Sequence, residues 1–223
     1  MIVLAIFTAF YYRQPVTSAS GSPLACKTII SNGSPDKSID IVFFYDNVDE
    51  SEAQQYIDYL LSVSPFSENK EKFNFYSVNM PPTCDIQNGI LVCYSKEVIK
   101  ASALCPNDYV FVLSKQSAGI RSSAYTNLIS VNIADKKSVV IHEFGHIFAN
   151  LADEYVPSTI PRGSKNCASS CDKFTSEVDG CYEGCSENGE YRSVNAGIMR
   201  TLSTINFGKF DNAILNADLE KYG

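Results

Sequence analysis

Both histidines of this 223-residue chain fall in one pentapeptide, His142-Glu143-Phe144-Gly145-His146, and that placement constrains the fold more than any other feature. On an α-helix the two imidazoles lie about 40° apart in azimuth and one turn apart along the axis. Val140, Phe144, Ile147, Phe148 and Leu151 form a continuous apolar stripe on the other side. The spacing therefore predicts a helix that buries one face and presents two imidazoles from the opposite one, a donor pair suited to a metal ion. Glu143 falls about 60° from His146, placed to act on a water at the metal without ligating it. Asp135 is the expected N-cap.

A third ligand is needed and the chain has no third histidine. Asp153 and Glu154 supply carboxylates downstream. A straight helix would leave Asp153 about 10 Å beyond His146, so the chain must turn. Asn150 is the residue in that stretch that accepts a left-handed conformation. Either carboxylate serves on this reasoning; the other is expected to brace the ligand or to pair with a cation.

Eight cysteines favour disulfides and an oxidising compartment. Cys167, Cys171, Cys181 and Cys185 read C-x3-C-x9-C-x3-C. Two helical turns laid antiparallel would pair Cys167 with Cys185 and Cys171 with Cys181; a four-thiolate zinc site is the alternative. Cys84 and Cys93 flank a turn at Asn88-Gly89, which leaves Cys26 with Cys105. Residues 1–12 are an apolar run too short to span a bilayer, and they fit a secretory signal over residues 1–20, cut near Ala19 or Ser20. A buried first strand is the structural alternative. No later run predicts a membrane span. A net charge of −7 without a basic stripe disfavours nucleic-acid and anionic-membrane partners. Asn32-Gly33-Ser34 is a glycosylation sequon.

The remaining patterns predict an α/β (α+β) fold with a twisted mixed sheet. Residues 21–38 look like a loose N-terminal segment. Ile39–Tyr45 and Tyr109–Leu113 read as strands buried on both faces, Phe73–Val78 as an alternating strand, and Leu128–Ile133 as a further strand. Ser51 with Gln54 suggests a capping box for a helix that Pro65 ends. A short helix is expected over Ser95–Ala103, and Gly119–Tyr125 is a polar candidate edge strand. Residues 39–155 would form an upper subdomain carrying the histidine helix. Residues 156–223 would form an irregular, cystine-tied lower one, with a last helix near Asp211–Leu219. The acidic stretch Asp172–Glu190 reads as a solvated face, or as a bias toward basic substrates.

The stretch His142–Tyr155, HEFGHIFANLADEY, resembles the signature of the immunoglobulin A peptidase family of zinc metallopeptidases, HEFGHxFxGLADEY. A looser likeness runs over residues 39–202, through Asp40–Phe43, Pro65-Phe66, Phe73–Val78 and Asp108–Leu113. Ile198-Met199-Arg200 after Gly197 resembles a metzincin Met-turn. The resemblance implies a metzincin-like, secreted, zinc-dependent metalloendopeptidase that acts on protein or peptide substrates as a monomer. Glu143 would be the general base, and His142, His146 and Asp153 the zinc ligands. Asp153 is favoured because a helix-ending glycine precedes the third metzincin ligand by three positions, as Asn150 precedes Asp153; Glu154 is the reserve. Met199 would lie beneath the metal. Two departures stand out: Ala149 and Asn150 replace the family's helix-terminating glycines, and Arg200 stands where a His-Tyr pair would supply an oxyanion donor. Tyr155 and Arg200 are supporting residues: either could stabilise the oxyanion, or both are structural, Tyr155 in packing and Arg200 as partner to Glu154. The alternative is a secreted binding protein that keeps the scaffold without turnover.

Overall fold

The computed structural model describes residues 24–174 and 178–223; the expected signal segment lies outside the described residues. The apolar runs form the centre of one sheet. Its strands are β1 (Cys26–Ile30), β2 (Ile39–Asp46), β3 (Phe73–Val78), β6 (Tyr109–Ser114), β7 (Ser123–Tyr125) and β8 (Leu128–Asn132). The order is β1-β3-β2-β6-β8-β7: the four inner strands run parallel, and β1 and β7 pair antiparallel at the two edges. Parallel strands covered on both faces need near-continuous apolar sequence, which IDIVFFYD and YVFVLS supply.

Alternate residues go to different cores. Ile41, Phe43, Phe75, Phe111 and Leu113 face one layer. That layer holds α1 (Ser51–Leu60), α3 (Ser138–Ala149) and α4 (Lys209–Leu219). Val42, Phe44, Tyr76, Val110 and Val112 face the other. There lie α2 (Lys96–Ser102) and a hairpin of β4 (Asp85–Gln87) and β5 (Ile90–Val92). Asn88 and Gly89 make the hairpin turn with φ of 52° and 76°, the paired positive values that match strand twist in a two-residue loop.

Four expectations are corrected. β3 does not alternate in burial; all six residues are buried, because both of its faces are covered. Residues 21–38 are not wholly loose, since β1 pairs with β3 along the sheet edge. The capping box does not form: Ser51 is already helical, and its N–H donates to Asp49 Oδ1 at 2.8 Å. Asp135 does not cap α3 either; its Oδ2 accepts from the Ser122 N–H at 3.1 Å and the Ser122 hydroxyl at 2.7 Å. Asn32 has a structural use as well, with Nδ2 donating to the carbonyls of Lys70 and Phe73.

The cysteines join as Cys26–Cys105, Cys84–Cys93, Cys167–Cys185 and Cys171–Cys181, the pairs that the spacing arranges. Two helical turns do not bring the last four together. Cys167 belongs to β9 (Cys167–Ala168) and Cys185 to β10 (Tyr182–Cys185), which flank β11 (Glu187–Arg192) in a small antiparallel sheet. No helix among the described residues is long and apolar enough to cross a membrane.

The C-terminal residues share the main core. Ile198, Met199, Phe207, Leu215 and Leu219 are buried with Phe66, Phe144 and Phe148. Lys72 Nζ donates to the carbonyls of Leu219 and Tyr222, placing a cation at the negative end of α4. Phe66 is fully buried, with its ring against Phe73, Phe144, Phe148 and Phe207 at 5.2–6.1 Å between centroids. Phe66→Ala is therefore expected to cost about 3–5 kcal/mol, read as a lowered midpoint in denaturant unfolding.

Candidate metal centre

Helix α3 ends where the chain must begin its return toward the imidazoles. Asn150 is left-handed at φ 51°, ψ 39°, and the Leu151 N–H donates to the Gly145 carbonyl at 3.2 Å. This bond closes on a carbonyl at the C-terminal end of the helix, where intrahelical donors run out. The chain doubles back, and Asp153 Oδ1 lies 3.1 Å from His142 Nε2 and 3.3 Å from His146 Nε2. The two Nε2 atoms are 3.1 Å apart. His142, His146 and Asp153 are thus a group able to hold a metal ion.

The tautomers follow from the neighbours. His142 Nδ1–H donates to the Ile198 carbonyl at 3.0 Å, and His146 Nδ1–H donates to the Leu151 carbonyl at 2.7 Å. Neutral rings so bound carry lone pairs on both Nε2 atoms, aimed at a carboxylate oxygen that has no hydrogen-bond donor of its own. Three acceptors converge, a set that a metal ion satisfies and that, without one, draws a proton onto the imidazoles. Tetrahedral zinc with ligands near 2.0–2.1 Å would set its donor atoms about 3.3 Å apart, close to the spacings present. The donor set fits.

Without an ion, the same carboxylate draws positive charge onto the imidazoles as protons. Burial works to raise the Asp153 pKa, but the hydrogen bonds and charge of both histidines outweigh it and hold the carboxyl far below its ordinary range. Burial works to lower the His146 pKa, yet Asp153 and Glu143 raise it on balance. Burial raises the pKa of Glu143, which is 8% exposed and lines a cleft beside His142. Burial and the charge of Asp153 raise the Tyr155 hydroxyl, which keeps its proton at the same cleft.

Met199 packs against the helix from below. A Cβ on Gly145 would stand 2.8 Å from Met199 Sδ and 3.1 Å from the Phe207 ring, so the glycine lets the turn approach the helix. The Met199 carbonyl accepts the Glu154 N–H at 2.8 Å, tying this turn to the loop that carries Asp153.

Glu154 points away from the imidazoles and is fully buried. Burial raises its pKa and that of Asp211 on α4, and the charge of Glu154 raises Asp211 further. Arg200 does not form the expected pair with Glu154 among the described contacts. Its Nη1 donates to the Asn195 carbonyl at 2.8 Å, and it reaches Glu154 through charge alone.

Several supports have no sequence signal. Buried Asn166 accepts the Ala152 N–H and donates to the Ala152 carbonyl, while Ser158 and Ser186 donate to the Asp153 carboxylate and carbonyl. Arg192 is buried and holds the carbonyls of Glu183, Gly184 and Asn195. Their partners lie far along the chain or on main-chain atoms, where residue pattern carries no trace.

A family model described as IgA Peptidase M64 matches residues 82–169, a stretch that holds α3 and Asp153 but less than half of the chain. The fold and site are those of a candidate peptidase, and the match supports the family assignment made from the residues 142–155. No curated protein matches the chain.

Two outcomes follow. Asn150→Val is expected to destabilise by about 1–2 kcal/mol in chemical unfolding, and Asn150→Gly to be nearly neutral, because only the β-branched residue resists the left-handed conformation. Glu154 and Asp211 have folded pKa values raised above their unfolded ones. Their contribution is fully present below the ordinary carboxylate range and is lost as pH rises through the raised values. Melting temperature should therefore fall with rising pH in that window, and less steeply in Asp211→Asn.

Proposed function

We propose that this protein is a secreted zinc-dependent metalloendopeptidase with a metzincin-like catalytic centre. The observation that carries the proposal is the convergence of two carbonyl-oriented imidazoles and one donor-less carboxylate oxygen beside a buried glutamate. His142, His146 and Asp153 would hold the ion. Zinc, when bound, supplies Lewis acidity that polarises the scissile carbonyl and makes water acidic enough to attack at neutral pH.

The chain's own residues do the rest. Glu143 accepts the proton of the attacking water at its carboxylate and passes it to the leaving amine. Burial moves its pKa toward the range in which one group can do both. Ile198 and Leu151 hold the imidazoles in register through their carbonyls, and Met199 supports the helix beneath them. Strand β7 is the last strand of the sheet, with Arg121 and Ser122 just before it lining the cleft, the Arg121 backbone already bonded to Gly89 and Leu91. An extended substrate could add to that edge through backbone hydrogen bonds. Tyr155, half-exposed at the cleft, is available to donate to a developing oxyanion.

Four disulfides are consistent with an extracellular protein. The acidic stretch after Cys171 exposes Asp172, Asp179, Glu183 and Glu187 on its surface, and none of these lines the cleft. A scaffold retained for binding alone would have no use for Glu143 in this position. Glu143→Gln should keep one zinc per chain by elemental analysis while hydrolysis of casein falls by about 10²–10⁴. Equal inertness of wild type and variant, with zinc bound to both, would leave the binding-protein reading in its place.

A further inference from the structure

The cleft beside His142 and Glu143 has a volume of ≈ 320 Å³ and an uneven chemistry. Val139 and Leu202 give it apolar wall. Two arginines line it, Arg121 from the segment before β7 and Arg200 from the turn after Met199. Both arginines are exposed.

Neither cation is consumed by the fold. The Arg121 backbone is fixed on both sides, its N–H donating to the Gly89 carbonyl and its carbonyl accepting the Leu91 N–H. Its guanidinium has no hydrogen-bonding or ion-pair partner among the described residues, and it acts on the Tyr155 hydroxyl through charge. Arg200 spends Nη1 on the Asn195 carbonyl and keeps its remaining donors. The two acids at the cleft are otherwise engaged. Asp135 Oδ2 accepts from the Ser122 N–H and hydroxyl, which turns that oxygen toward the start of β7, and Glu143 is buried beside the histidines. Apart from the Tyr155 hydroxyl, the open hydrogen-bonding capacity of the cleft is cationic, planar and forked, which is the complement of a carboxylate.

We propose, resting on the peptidase reading above, that Arg121 and Arg200 select substrates presenting a carboxylate beside the scissile bond. Two sources share that chemistry, the side chain of Asp or Glu and the free C-terminus of a short peptide. The selectivity is local: the chain as a whole carries −7, so long-range steering would repel acidic substrates, and only short-range guanidinium contacts favour them.

The test uses the zinc-loaded wild-type protein and matched peptide pairs that differ by Glu against Gln at positions flanking the cleaved bond, each with free and amidated C-termini. Glu peptides are expected to be cut with kcat/KM about tenfold higher than their Gln partners. That ratio should fall toward one in Arg121→Gln and Arg200→Gln. A preference that follows the free terminus instead of Glu assigns the carboxylate to the chain end. A wild-type ratio near one in both comparisons overturns the proposal. Binding of the same labelled peptides to zinc-loaded Glu143→Gln gives a second reading that needs no turnover, with the same order expected and equal affinities overturning it. A wild type that cuts no peptide removes the peptidase reading, while the binding ratio still decides the carboxylate site.

Discussion

Everything at the centre of this molecule depends on two backbone carbonyls. Ile198 and Leu151 each take an Nδ1–H from a histidine, and by doing so they fix which nitrogen of each ring is left bare. A bare Nε2 is a metal ligand, whereas a protonated one is not. Both carbonyls come from irregular chain, one from the turn before Met199 and one from the residue after the left-handed Asn150. The helix supplies the imidazoles, and loops decide what they can bind.

These loops are held by the fold from several directions. Gly145 admits Met199 to the helix, the Met199 carbonyl takes the Glu154 N–H, and Glu154 meets Asp211 on α4. Asn166 closes on both polar groups of Ala152, next to Asp153. Behind the helix, the rings of Phe66, Phe144, Phe148 and Phe207 fill the space between α3 and the sheet. Bonds among buried polar groups strengthen one another in a low dielectric, so such a network positions ligands within small tolerances. The Cys167–Cys185 and Cys171–Cys181 bridges restrain the β10–β11 hairpin, which carries Ser186 in its connection and Arg192 at its end.

Legibility in the sequence followed the range of the interaction. Strands β2 and β6 were readable because residues covered on both faces must be apolar in succession. The turn at Asn150 was readable because few residues accept a positive φ. The two expected caps fail for different reasons, because Ser and Asp satisfy many partners. Asp135 is taken by Ser122 from a distant strand edge, whereas the start of α1 is held by a nearer local acceptor, Asp49. Strand β1 was missed because an edge strand with one covered face tolerates polar residues such as Lys27 and Thr28. The pairing of the last four cysteines was reached through the wrong local geometry, since spacing alone does not distinguish helical turns from neighbouring strands.

The sequence by itself determined that two imidazoles share one side of a helix, that the chain turns at Asn150, and that an acid returns toward them. Those are consequences of helical pitch and of one residue's steric freedom, both local. The choice of Asp153 over Glu154 at the imidazoles, the tautomers of the rings, and the gathering of Arg121 and Arg200 at one cleft belong to the tertiary structure. Each depends on atoms brought together from segments distant in sequence, where only the packing of the whole chain sets the distance.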